Sequence, residues 1–125
     1  MSTYQSVASG RHLLADLHGI DAVTLRDATG IEALLVAAAR AAGARVLSAH
    51  FHHFGGQAGV TGVVVLGESH LSIHTWPEHG FAALDIFMCG TAQPERALDH
   101  VTAAFAPAHV ALTTVARGAP LPSLA

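Results

Sequence analysis

Between Gly59 and Gly90 the chain reads GVTGVVVLGESHLSIHTWPEHGFAALDIFMCG, and this stretch gathers most of the residues able to do chemistry. Glu68-Ser69 puts a hydroxyl beside a carbonyl between two strand-like runs. A serine held there can attack the preceding carbonyl, an N→O acyl shift. The reaction needs donors for the oxyanion and a base for the serine α-proton. His74 is a candidate base if the bend folds it back, and Thr61 offers a hydroxyl on the neighbouring strand. Cys89, the only cysteine, ends an apolar run beside Gly90. A lone buried cysteine is usually a small hydrophobe, but a strand end is also where a reactive side chain sits. The six basic residues are all arginine. A chain without lysine cannot form a lysine Schiff base with a substrate or with pyridoxal phosphate. Any electrophile for amine or carbanion chemistry must come from elsewhere.

The ten histidines raise the question of a metal. His50 and His52 share a strand face, as do His70 and His74, and four imidazoles suit zinc or copper. No carboxylate or cysteine joins them at a recurrent ligand spacing. Ordinary strand or surface histidines is the preferred reading, above all for His18, His53, His100 and His109, and no metal is expected.

The elements that must position these groups follow from hydropathy and punctuation. Residues 1–10 read as a loose polar leader and His12–His18 as a short strand. Asp27 to Gly30 supplies N-cap residues for an amphipathic helix over Ile31–Ala42, which Gly43 stops. Arg45–Phe54 alternates like a strand, and Gly55 to Gly59 is a flexible loop. VTGVVVLG and HLSIHTW are two further strands, the second with Leu71, Ile73 and Thr75 on one face and His70, Ser72, His74 and Trp76 on the other. Pro77 to Gly80 turns the chain into a strand over Phe81–Met88. Pro94 opens a second helix, His109–Ala116 is a last strand, and the tail from Arg117 is irregular. This order predicts an α+β fold: a two-layer α/β sandwich with one mostly antiparallel sheet and two helices on one face. The other sheet face must be wet or covered, and a second copy of the chain is a common cover.

Composition narrows the class. A chain of 125 residues and 12.8 kDa, 51% hydrophobic, predicts one domain with a modest core. A formal charge of −3 makes nucleic acid an unpromising partner. No apolar run approaches the roughly 20 residues needed to span a bilayer. The N-terminal residues show no charged n-region followed by an apolar core, and with one cysteine the expectation is a reduced cytoplasm.

The whole segment ESHLSIHTWPEHGFAALDIFMCG resembles the core of the prokaryotic S-adenosylmethionine decarboxylases, pyruvoyl enzymes of polyamine synthesis. The resemblance runs through GVTGVVV, FHHF and the first helix back to GRHLLADL, roughly residues 10–117. It implies an inactive proenzyme that cleaves itself at Glu68–Ser69 into a β chain, 1–68, and an α chain, 69–125, whose residue 69 becomes a covalent pyruvoyl group. That keto group would form a Schiff base with the substrate amine and take up the electrons left when carbon dioxide departs. By the same resemblance His74 is the base for the serine α-proton, with Thr61 supporting cleavage. Cys89 reprotonates the substrate carbon and contributes to cleavage. Glu78 is an acidic substrate-binding residue, and Phe54 and Trp76 are aromatic positions near the site. Purines, sulfonium cations and ribose hydroxyls suit such residues. The resemblance also implies the two-layer fold and a homodimer or larger assembly with sites near the subunit interface.

The chain departs from many relatives in having Thr61 for serine, Gly67 before the Glu-Ser pair, and a slightly longer loop, Gly55-Gly56-Gln57-Ala58. By the resemblance that loop would border the substrate, so its change bears on which substrate is taken. Two other readings stay open: the same chemistry on ornithine or arginine, and a non-catalytic module that binds a metal or a partner. The intact Glu68-Ser69-His70, His74 and Cys89 set argues against the second.

Overall fold

The computed structural model describes residues 9–118, so the expected leader and tail fall largely outside it. Its elements are β1 (Gly10–His18), α1 (Ala22–Leu25), α2 (Ala28–Ala41), β2 (Val46–His53), β3 (Val60–Leu66), β4 (Ser69–Trp76), a 3₁₀ turn over Pro77–His79, β5 (Phe81–Cys89), α3 (Pro94–Phe105) and β6 (His109–Arg117). The strands form one sheet in the order β2-β3-β4-β5-β1-β6, with every neighbouring pair antiparallel. The expected two-layer α+β sandwich is what the chain builds. The addition is α1. At four residues it is too short to show a helical period, yet Asp21 caps it by accepting from the Thr24 backbone N–H.

Strand alternation decides which side chains the helices cover. In β3, β4 and β5 every second residue is buried: Val60, Val64 and Leu66, then Leu71, Ile73 and Thr75, then Ala82, Leu84, Ile86 and Met88. These pack beneath α2 and α3, whose Ile31, Leu35, Ala38, Ala97, Val101 and Phe105 close the core. Alanine at Ala38, Ala39 and Ala97, each fully buried, lets the two helices sit close to the sheet and to each other.

The opposite sheet face carries Thr61, Val63, Val65, His70, His74 and Trp76, and no helix among the described residues covers it. Val65 and Trp76 are 37% and 39% exposed there. An aromatic row crosses this face: Trp76 stacks on Phe81 at 5.1 Å between ring centres, and Phe81 on His18 at 4.9 Å. At the sheet edge every residue of β6 is exposed.

Candidate active site

The β3–β4 hairpin presents the Glu-Ser bond. Leu66 pairs with Ser69, which leaves Gly67 and Glu68 as a two-residue loop. Gly67 N donates to Arg45 O at 3.0 Å and ties the loop to the start of β2. Glu68 takes φ 60°, the left-handed region that glycine favours, whereas Gly67 beside it does not. Such a conformation costs a non-glycine residue roughly 1–2 kcal/mol.

Around this strained residue β5 supplies two donors from one position. The backbone N–H of Cys89 donates to Ser69 Oγ at 3.2 Å, and Cys89 Sγ donates to Glu68 O at 3.4 Å. The first orients the hydroxyl, and the second places a donor on the carbonyl oxygen that an attack by Ser69 would charge. Glu68, Ser69 and Cys89 thus form one cluster at one end of the sheet.

Thr61, His74, Phe54, Trp76 and Glu78 form another, at the opposite end. Thr61 and His74 are register partners on β3 and β4, and Thr61 Oγ1 shares a hydrogen bond with His74 Nδ1 at 3.1 Å. The His74 ring lies 6.3 Å from that of Trp76. These residues line a cavity of about 250 Å³ with Phe54, Ala58, Gly59, Val60, Thr75 and Glu78. The pairing of β3 with β4 is unbroken from Thr61↔His74 to Leu66↔Ser69, so no bend folds His74 back. Five residues of extended strand separate Ser69 from His74, about 17 Å. Within one chain the candidate base does not reach the serine.

The floor of the cavity rests on a residue whose role the sequence did not reveal. Thr75, 5% exposed on the core face, accepts from Val60 N at 2.8 Å and donates to Leu25 O at 2.7 Å. It bolts the end of α1 to both strands. Gly59 is needed beside it, because a Cβ there would lie 1.9 Å from Thr75 O. The only hint in the sequence was a threonine at a core position of an otherwise apolar face. Beside the Ser69 end, His70 and His12 flank Phe87 on the uncovered face, and Arg117 reaches His12 Nδ1 at 3.3 Å. Burial, chiefly, and the nearby His12 lower the pKa of His70 against an opposing pull from Asp85. Among the described residues no group of three or more His, Cys, Asp or Glu is placed to hold a metal ion.

Comparison with known proteins bears on this geometry. Residues 11–118 match the family model for S-adenosylmethionine decarboxylase. The S-adenosylmethionine decarboxylase proenzyme of Acetivibrio thermocellus is 48% identical over 112 residues, covering 89% of this chain and 90% of that protein. The proenzyme of Caldicellulosiruptor saccharolyticus is 46% identical over the same lengths. The crystal structure of the adenosylmethionine decarboxylase from Aquifex aeolicus superposes with a TM-score of 0.82 at 37% identity, covering 91% of this chain and 94% of that one. With one family model spanning nearly all the described residues and relatives this similar over most of their length, the chain belongs to the S-adenosylmethionine decarboxylase family.

Proposed function

We propose that the chain is a proenzyme that cuts itself at Glu68–Ser69, generates a pyruvoyl group at residue 69, and decarboxylates S-adenosylmethionine. The observation that carries this reading is the convergence of Ser69 Oγ, the Cys89 thiol and the strained Glu68 carbonyl at one hairpin. Ser69 Oγ attacks the Glu68 carbonyl carbon while the Cys89 S–H supports the oxygen. The peptide nitrogen then leaves with a proton, and an ester joins Glu68 to Ser69. A base removes the Ser69 α-proton and the Glu68 carboxylate departs. Water then replaces the residue's nitrogen, which leaves as ammonia, so that fragments 1–68 and 69–125 remain.

A pyruvoyl group at residue 69 would supply the electron sink that a lysine-free chain otherwise lacks. The residues fit it: a self-made carbonyl would lie beside the Cys89 thiol, which is suited to return a proton to the substrate carbon. Phe54 and Trp76 offer faces to a purine and a sulfonium, and Glu78 accepts from ribose hydroxyls.

The site is completed by a second copy. Ser69 and Cys89 stand about 17 Å along the strand from His74 and the cavity. A two-fold axis lying between two uncovered sheet faces, and crossing β4 near its middle, sets the Ser69 end of one copy over the His74 end of the other. The one-chain cavity of about 250 Å³ also falls short of the roughly 300–1,000 Å³ usual for ligand pockets, as expected of half a site. The functional unit is then a homodimer with two composite sites.

Intact-mass spectrometry tests the cleavage. Wild-type protein should give two fragments split at 68/69, the second blocked by a pyruvoyl group, and Ser69→Ala one uncut chain. Two fragments from Ser69→Ala would refute the cleavage site. Carbon dioxide release from S-adenosylmethionine, against ornithine and arginine, tests the substrate; turnover of either amino acid alone would move the assignment.

A further inference from the structure

The loop from Phe54 to Gly59 forms one lip of the cavity, and two of its residues are unpacked glycines. Gly55 and Gly56 have φ 98° and 52°, and a Cβ on either would meet nothing within 4 Å. The loop closes on itself through Phe54 N to Gly59 O, Ala58 N to Gly55 O, and His53 Nε2 to Ala58 O. Those bonds hold its base but leave its tip, Gln57, to another partner. That partner is Arg26, whose Nη1 donates to Gln57 Oε1 at 2.7 Å across 31 residues of sequence. Arg26 is a firm anchor. It caps the C-terminus of α1 through its backbone N–H, and its neighbour Leu25 is fully buried and bonded to Thr75 under the same cavity.

The geometry points to Arg26 as a positioning residue that, through Gln57, holds the loop and with it Phe54 over the substrate cavity. Phe54 is 62% exposed, so packing alone does not fix it. Arg26 and Gln57 act on substrate affinity and leave bond cleavage at residue 69 alone, because their bond braces the Phe54 lip, whereas His74, Ser69 and Cys89 are held by separate bonds. This rests on the reading of the cavity as the site for the nucleoside part of the substrate.

The test compares Arg26→Ala, Gln57→Ala, the double variant and the swapped pair Arg26→Gln/Gln57→Arg. Each single variant should raise KM about three- to tenfold, the scale of one ordinary, solvent-exposed hydrogen bond, with kcat and self-cleavage unchanged. The double variant should be no worse than either single one, and the swap should restore KM. Trp76, the only tryptophan, lines the same cavity, so its quenching by acrylamide should rise in the single variants and return in the swap. Unchanged KM and quenching in both single variants would overturn the brace. So would a raised KM without a change in quenching, which would make Arg26 a direct substrate contact, and so would a loss of kcat or of cleavage. If the wild-type protein turns over no S-adenosylmethionine, the substrate reading fails, and the Trp76 measurement alone still decides whether Arg26 holds the loop.

Discussion

Glu68 is where backbone strain and proposed chemistry coincide. Its left-handed conformation sits on the residue whose carbonyl Ser69 would attack, and scission of the bond would free it. Replacing it with glycine removes the Cβ conflict. In the uncut Ser69→Ala background, Glu68→Gly should therefore stabilise the fold by about 1 kcal/mol, read from the urea midpoint. An unchanged or lowered midpoint would show that the turn stores no strain. His70 offers a second check. Its folded pKa lies below the ordinary 6.5 because burial and His12 disfavour the charged ring. The unfolded chain then binds more protons between the two values. His70 thus adds nothing unfavourable well above 6.5, and it costs stability as pH falls through 6.5 towards its lower folded value. The groups around it, His12 and Asp85, are retained in His70→Gln. The loss of stability from about pH 7.5 to about pH 5.5 should be smaller in that variant than in the parent, both carrying Ser69→Ala. An equal loss would assign the pH dependence to other histidines.

At the scale of elements, a single hydroxyl joins three of them. Thr75 satisfies Val60 N and Leu25 O at once, in the core beneath the cavity. Thr75→Val keeps the shape and deletes both bonds, leaving a buried N–H and a buried C=O without partners. A loss of about 2–4 kcal/mol should follow in urea unfolding, more than a typical single mutation costs. A loss below about 1 kcal/mol would mean that water or a small shift replaces the hydroxyl. The β3–β4 hairpin acts differently. It is a straight ruler that sets Ser69 and His74 at opposite ends, and its regular register makes that separation hard to avoid.

At the scale of the molecule, this separation gives the proposed dimer a specific consequence. Ser69→Ala lacks the nucleophile but keeps His74, and His74→Ala does the reverse. Neither should cleave alone. In a mixed dimer one of the two composite sites is intact. Co-expression should therefore release fragments from the His74→Ala chain, visible by intact mass. If the mixture stays uncut while the mixed dimer is shown to form, Ser69 and His74 do not act across copies. Cleavage of His74→Ala expressed alone would remove His74 from the cleavage step.

Much of this was legible in the sequence, because strand alternation and caps are local. The period-two pattern of HLSIHTW set Leu71, Ile73 and Thr75 against His70, His74 and Trp76, and the sheet keeps that division. The Glu-Ser pair, the lone cysteine and the missing lysine were weak signals separately, and the resemblance carried by ESHLSIHTWPEHGFAALDIFMCG is what implied the proposed chemistry. Tertiary structure decided which of these residues meet. Cys89 reaches Glu68 and Ser69 because β5 pairs antiparallel with β4, across 20 residues of chain between Ser69 and Cys89. His74, only five residues from Ser69, does not, because an extended strand carries its ends apart. The bond from Arg26 to Gln57 and the double bonding of Thr75 were equally invisible, since both depend on where α1 lands against the sheet. Sequence spacing measures separation along the chain, and only the paired sheet converts it into distance.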